Sequence, residues 1–105
     1  MAQFDVYANP SPRSRDWAPY VVDLQHDMLR DLATRIMAPL LKSTGTPTQR
    51  LGGLNPTVEI DGQRYTLSAT ELAAVPVSEV GDPVANLAEF RSEILAAVDL
   101  LFTAV

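Results

Sequence analysis

The chain has 105 residues, of which 47% are hydrophobic, and a formal net charge of −5. This length suits one domain, the apolar content excludes a disordered chain, and the absence of cysteine excludes disulfides and thiolate metal sites. With no signal peptide and no apolar run near the roughly 20 residues of a membrane span, we expect a single cytoplasmic domain over residues 1–105 and no membrane partner.

Charge is distributed unevenly along the chain. Residues 1–50 carry six basic and five acidic side chains, whereas residues 51–105 carry two basic and eight acidic ones. Phosphate contacts need clustered Lys and Arg, so the acidic half argues against a protein that grips DNA alone. It suits a basic partner, and it is equally well explained as a solvated surface that aids solubility.

The first half of the sequence predicts three strands from alternating or β-branched apolar residues. They are residues 3–7, 20–24 and 34–41. Residues 9–19 are rich in proline and predict a loop, and residues 42–56 predict the longest loop of the chain. Residues 25–33 fit either a helical turn or a strand end followed by a loop.

The second half begins with a predicted hairpin. Residues 57–60 and 64–67 flank Asp61-Gly62, a pair typical of a type I′ turn because both central positions need positive φ. Residues 70–75 fit a strand or a short helix, and the poor capping pair at its start favours the strand.

An amphipathic helix is predicted from Asn86 to Val105. Asn86 and Glu89 have the spacing of a capping pair, and the pattern runs to the last residue, so we expect the terminus to belong to the core or to a binding surface. Strands followed by one helix predict a small antiparallel barrel or sheet with the helix packed on it. We expect the apolar stripe of this helix to be mostly core. The residues that recur at helical spacing are Leu87, Phe90, Arg91, Ile94, Leu95, Val98, Leu101, Phe102 and Val105.

Catalytic and metal sites find little support in the sequence. His26 and Asp27 could act as an acid–base pair, but one histidine, no cysteine and no clustered nucleophile favour a polar residue at a strand end. Asp23, Asp27 and Asp31 would share a face only on a helix, so we expect no metal and no cofactor. A phosphate-binding strip is possible where Arg13, Arg15, Arg30 and Arg35 alternate with aromatic residues, but interleaved acids favour ordinary surface pairs.

Several segments follow one another in a fixed order along the whole chain. They are residues 3–7 (QFDVY), 22–27 (VDLQHD), Arg35 before Pro39-Leu40, 56–60 (PTVEI), 75–78 (VPVS) before Gly81, 84–87 (VANL) and 99–105 (DLLFTAV). In this order they resemble the CcdB toxins, the DNA gyrase poisons of type II toxin–antitoxin pairs.

The resemblance implies a mainly β fold, an SH3-like, MazF-type antiparallel barrel with a C-terminal helix. It implies a non-enzymatic toxin that binds as a homodimer to the dimerisation domain of the gyrase A-subunit, where it traps the cleaved-DNA complex. A CcdA-like antitoxin would neutralise it, and the two together would repress their operon, with DNA bound only through that complex. The gyrase-binding positions it implies are Met28, Leu29, Asp99, Thr103, Ala104 and Val105.

Three positions depart from the family pattern. Ala104 stands where members carry glycine, Asp99 stands where asparagine is found, and His26 stands where serine is common. Glycine permits backbone conformations that alanine avoids, although alanine favours a helix that simply continues. A homologue that no longer poisons gyrase therefore stays an alternative, and so does a MazF-like ribonuclease, since that fold hosts ribonucleases. The role of His26 stays open.

Overall fold

The computed structural model describes residues 1–43 and 53–103. The strands are β1 (Asp5–Ala8), β2 (Tyr20–Asp23), β3 (Thr34–Lys42), β4 (Thr57–Ile60), β5 (Gln63–Leu67), β6 (Ala73–Pro76) and β7 (Ala85–Asn86), and the helix is α1 (Arg91–Thr103). Within these ranges the strands pair antiparallel. They form a nearly closed barrel with a C-terminal helix, which confirms the predicted fold class.

The longest strand, β3, organises the barrel. One of its edges pairs with β2, and its other edge pairs with β6 through residues 34–37 and with β5 through residues 40–42. The sheet therefore runs β4-β5-β3-β2-β1-β7, with β6 branching from β3. Because β3 bridges two neighbours along one edge, it carries the curvature that nearly closes the sheet.

Two apolar clusters occupy the two faces of the central strands, as strand alternation requires. The smaller cluster contains Tyr7, Val21 and Met37. In the larger cluster, Ile94 and Ala97 of α1 are fully buried against the sheet. Its strand residues include Val6, Val22, Ala38, Leu40, Val58, Ile60 and Leu67.

The hairpin prediction is confirmed. Strands β4 and β5 pair across Asp61 (φ 50°) and Gly62 (φ 80°), the two positive values that a type I′ turn needs. The next segment, residues 70–75, was expected to form a strand or a short helix, and the structure has both. A 3₁₀ turn over Ala69–Glu71 precedes the strand β6.

The start of the helix differs from the prediction. Asn86 belongs to β7 and pairs with Asp5 of β1. Its side-chain oxygen accepts a hydrogen bond from the Ala88 N–H at 2.8 Å. A 3₁₀ turn over Ala88–Phe90 follows, and α1 begins only at Arg91. The Asn86 side chain therefore makes a local turn rather than a helix cap. With 13 residues, α1 does not have the length of a membrane span, and no other helix in the described ranges has it.

The first strand also starts later than predicted, at Asp5. Phe4 has a left-handed backbone, with φ at 72°, which a bulky side chain rarely adopts. Its N–H donates to the Asp23 carbonyl at 2.6 Å and its ring is buried in the core. Tertiary contacts therefore impose a bend where the alternating pattern indicated continuous strand.

Candidate protein-binding face

A short turn after β2 displays two apolar side chains to solvent. The 3₁₀ turn Asp27–Leu29 leaves Met28 85% exposed and Leu29 50% exposed. Adjacent apolar residues held outward in an ordered turn are typical of a contact surface. Of the two structures that the sequence allowed for residues 25–33, the helical turn is the one that forms.

A groove of about 490 Å³ is bordered by this turn and by the C-terminal half of α1. Leu29 and Ile36 line it together with Val98 and Phe102 of α1. Phe102 is 72% exposed, so this member of the predicted helix stripe lies outside the core. The other lining residues are Leu24, Gln25, His26, Leu72, Ala73 and Ala74.

Two more of the predicted contact residues lie near the end of α1. Asp99 and Thr103 are both exposed, and the Thr103 hydroxyl donates to the Asp99 carbonyl oxygen at 2.6 Å. They follow the groove residues Val98 and Phe102 in sequence without lining the groove themselves. The predicted contacts at residues 104–105 lie outside the described residues. The fold thus brings Leu29 and the last turns of α1, which are far apart in sequence, to one surface.

Gln25 ties the exposed turn to the sheet. Its side-chain amide donates to the Leu29 carbonyl at 3.1 Å and to the Thr34 carbonyl at 3.4 Å. Its side-chain oxygen accepts from the Ile36 N–H at 3.1 Å. Gln25 is buried and its three bonds are partly buried, so they fix the backbone of Leu29 relative to β3.

A buried ion pair supports Gln25 from below. Asp23 and Arg35 are both 0% exposed, and the Arg35 Nη2 lies 2.7 Å from the Asp23 Oδ2. Arg35 also donates to the Gln25 carbonyl at 2.9 Å, while the Gln25 N–H donates to the Asp23 Oδ1 at 3.0 Å. The expectation of ordinary surface pairs is therefore wrong for Arg35. Its alternation places it on a buried face of β3, where a charge needs a partner.

Burial governs ionisation in this network. It raises the pKa of the Asp23 carboxyl, and the hydrogen bonds from Arg35 and from the Gln25 N–H oppose that shift. Burial also raises the pKa of Tyr7 to about 12, with the Asp5 and Asp23 carboxylates adding to the effect. Arg35 is therefore the main source of stabilisation for the Asp23 carboxylate.

Sequence reasoning missed the positioning roles of Arg35 and Gln25. A signal for the ion pair exists, because Asp23 and Arg35 carry opposite charges inside two predicted strands that are otherwise apolar. Charged residues at such positions pair with each other when the strands are neighbours. No comparable signal marks Gln25, since its partners become adjacent only when the chain folds.

The polar residues considered for catalysis are engaged with backbone groups. The His26 Nδ1 accepts from the Met28 N–H at 3.0 Å, and the Asp27 Oδ1 accepts from the Gln3 N–H at 2.7 Å. Across the described ranges, no three His, Cys, Asp or Glu side chains converge as a metal site would require. His26 instead stands at the edge of the groove, exposed after the end of β2.

A second groove, of about 400 Å³, lies on the opposite face of β3, where Met37 points. Trp17, which is 59% exposed, lines it together with Glu71 and Glu79. The Arg15 Nε donates to a carbonyl of its own loop at 2.7 Å. Acidic side chains beside the tryptophan, and an arginine held inside its loop, do not favour a phosphate-binding strip at this face.

A family comparison agrees with the fold. The family model described as CcdB protein matches residues 3–104 of the 105-residue chain. The barrel with its C-terminal helix is the architecture that the resemblance implied. Since the match covers nearly the whole chain, the protein belongs to the CcdB family, the toxins of toxin–antitoxin pairs.

Proposed function

We propose that this toxin inhibits DNA gyrase by protein–protein contact with the dimerisation domain of the gyrase A-subunit. It traps the complex in which the DNA is cleaved, and it needs no catalytic group or cofactor of its own. Met28, Leu29, Asp99, Thr103, Ala104 and Val105 make the contact. Family membership supports the toxin class, and gyrase as the target follows from the family resemblance.

One observation carries the proposal, the apolar groove beside the exposed turn. Leu29 and Phe102 line it while remaining half or more exposed, and Met28 stands next to it. Interfaces draw most of their binding free energy from a few large side chains that a partner fully desolvates. A turn whose backbone is already held by hydrogen bonds loses little backbone entropy on binding.

We further propose that the toxin acts as a homodimer, so that two C-termini enter the dimer of gyrase A-subunits together. Leu100, Leu101 and Phe102 are three consecutive apolar residues, and a helix cannot bury all of them against one core. A second copy would cover part of that surface. A monomeric mass in light scattering at micromolar concentration would contradict two-tailed insertion.

The proposed antitoxin is a CcdA-like protein that folds on binding. The acidic second half of the chain, with two basic and eight acidic side chains, favours a basic partner. That partner would also supply the DNA contacts through which the pair represses its operon, because the toxin's sequence has eight basic against thirteen acidic side chains.

A gyrase assay with purified toxin tests the main proposal. Accumulation of cleaved DNA together with loss of supercoiling supports it, whereas RNA cleavage without gyrase inhibition would favour the ribonuclease. Inactivity in both would favour a homologue that has lost its target, and Ala104→Gly in the same assay shows whether the alanine is the cause.

A matched pair of variants locates the contact surface. Leu29→Asp places a charge at the groove, while Val84→Asp places one at a residue of similar exposure, 55% against 50%, that does not line it. We expect Leu29→Asp to abolish gyrase inhibition and Val84→Asp to retain it. Circular dichroism of both variants checks that they fold. Equal loss of inhibition in the two would argue against the groove.

A further inference from the structure

We propose that His26 is a positioning residue that holds the exposed turn in place and makes partner binding at the groove dependent on pH. This inference rests on the proposed function, because it concerns the presentation of Met28 and Leu29 to gyrase.

His26 holds the turn through both its side chain and its backbone. The Nδ1 atom accepts from the Met28 N–H at 3.0 Å, and the carbonyl oxygen accepts from the Leu29 N–H at 2.9 Å. The two amides belong to the two residues that the turn displays. A side-chain acceptor at this position satisfies an amide that a short helical turn leaves unpaired.

Only the neutral imidazole can make the side-chain bond. In neutral histidine one ring nitrogen accepts, whereas in the protonated form both ring nitrogens donate. Protonation would therefore set an N–H on Nδ1 against the Met28 N–H and remove the acceptor from the turn. Histidine is the side chain that changes charge in the physiological pH range.

The groove adds a second penalty for the protonated form. His26 lines it beside Leu29 and Phe102, which are apolar. A partner that covers the groove would remove water from the imidazole, and removing water from a charged group costs much more than removing it from a neutral one. Both effects act in the same direction, so acid weakens binding.

Several charged groups surround His26. Those of its own segment are Asp27, Arg30 and Asp31. The Asp27 Oδ1 is held by the Gln3 N–H at 2.7 Å and lies 3.7 Å from the Nη2 of Arg35, which pairs with Asp23 below. From the elements across the groove, the lining residues are apolar, and Asp99 and Glu71 adjoin them in sequence. These groups are common to the native chain and to the variants that test the proposal.

The test compares three forms of the full chain at pH 7.5 and pH 5.5, by the Kd for the dimerisation fragment of the gyrase A-subunit. The native toxin should lose roughly fivefold or more in affinity at the lower pH, as for loss of one helix cap. His26→Asn offers an oxygen at the place of Nδ1 that does not titrate, so its Kd should change by less than about twofold. His26→Ala lacks the cap and should bind weakly at both values. An equal acid loss in His26→Asn and the native chain would overturn the proposal.

A readout without gyrase separates this inference from the proposed function. Ring ¹⁵N shifts report protonation of His26, and hydrogen exchange of the Met28 amide reports the state of the turn. After correction for intrinsic exchange rates, we expect Met28 protection to fall as the ring gains its proton and to stay constant in His26→Asn. If gyrase does not bind at any pH, the target is wrong while this titration still decides the role of His26. Met28 protection that ignores the ring's protonation would refute that role.

Discussion

The exposed turn and the network beneath it reverse the usual distribution of polarity in a globular protein. Above, the apolar Met28 and Phe102 are 85% and 72% exposed. Below, the charged pair Asp23–Arg35 is fully buried, with Gln25 linking it to the turn. Exposing large apolar side chains is unfavourable, and so is burying a charged pair.

The contrast between the two regions shows how a small domain can keep apolar side chains exposed. Hydrogen bonds from Gln25 fix the carbonyl of Leu29, whereas apolar packing alone would bury the side chains of the turn in the core. Stability is therefore expected to reside in the buried network and partner affinity in the exposed residues. Variants that alter one region and spare the other test whether the two properties separate.

The largest effect is expected from Arg35→Met. The substitution keeps the volume of the side chain but leaves the Asp23 carboxylate buried without its partner. Breaking one side of a buried pair costs about 3–5 kcal/mol, and we expect a loss of that size in the free energy of unfolding, measured by urea denaturation at pH 7. The double variant Asp23→Leu with Arg35→Met should recover part of it, and a double variant less stable than the single one would contradict the ion-pair explanation.

The next effect is a dependence of stability on alkaline pH. Burial raises the pKa of Tyr7 to about 12, so the phenol stays neutral in the folded chain while it ionises in the unfolded chain near pH 10. Stability is thus unaffected by Tyr7 below pH 10 and falls as pH rises towards 12, by about 2 kcal/mol at the upper end. The measurement is urea denaturation at pH 9 and pH 12. Tyr7→Phe supplies the control, and we expect its loss over this range to be smaller by the same amount.

A smaller effect, on binding alone, is expected from Met28→Ala and Phe102→Ala. Both side chains are mostly exposed, so the free energy of unfolding should change by less than about 0.5 kcal/mol. Affinity for the gyrase fragment should fall about tenfold for each, as for an interface anchor. Calorimetric titration measures it. An unchanged affinity with either variant would remove that residue from the proposed interface.

The sequence was sufficient where structure is decided locally. Asp61-Gly62 needs positive φ at both positions, and no tertiary contact competes with that preference, so the hairpin was predictable. Asn86 shows the opposite case. Its sequence has the spacing of a helix cap, but Asn86 belongs to β7 and pairs with Asp5 of β1, so it becomes part of the sheet. The helix consequently begins later than its amphipathic pattern indicates.

The candidate site was predictable only in part, because the contacts between residues distant in sequence could not be predicted. Family resemblance named Leu29, but its proximity to Phe102 depends on the closure of the whole barrel. The buried Asp23–Arg35 pair likewise depends on β2 lying beside β3. Residue type predicts that such charges need partners, whereas only the fold identifies which partners they have.

The smallest effect is expected from Gly62→Ala, which serves as a control for the separation of stability from partner affinity. Gly62 lies in the β4–β5 hairpin, away from the groove, at φ 80°, and a Cβ added there would meet no atom within 4 Å. Gly62→Ala therefore adds backbone strain alone, worth about 1 kcal/mol in the free energy of unfolding by urea denaturation. Affinity for the gyrase fragment should stay within about twofold of the native value. The variant remains almost entirely folded, so it presents the same binding surface as the native toxin. If binding falls in step with this loss of stability, then affinity tracks global stability, and the separation between the buried network and the exposed face does not hold.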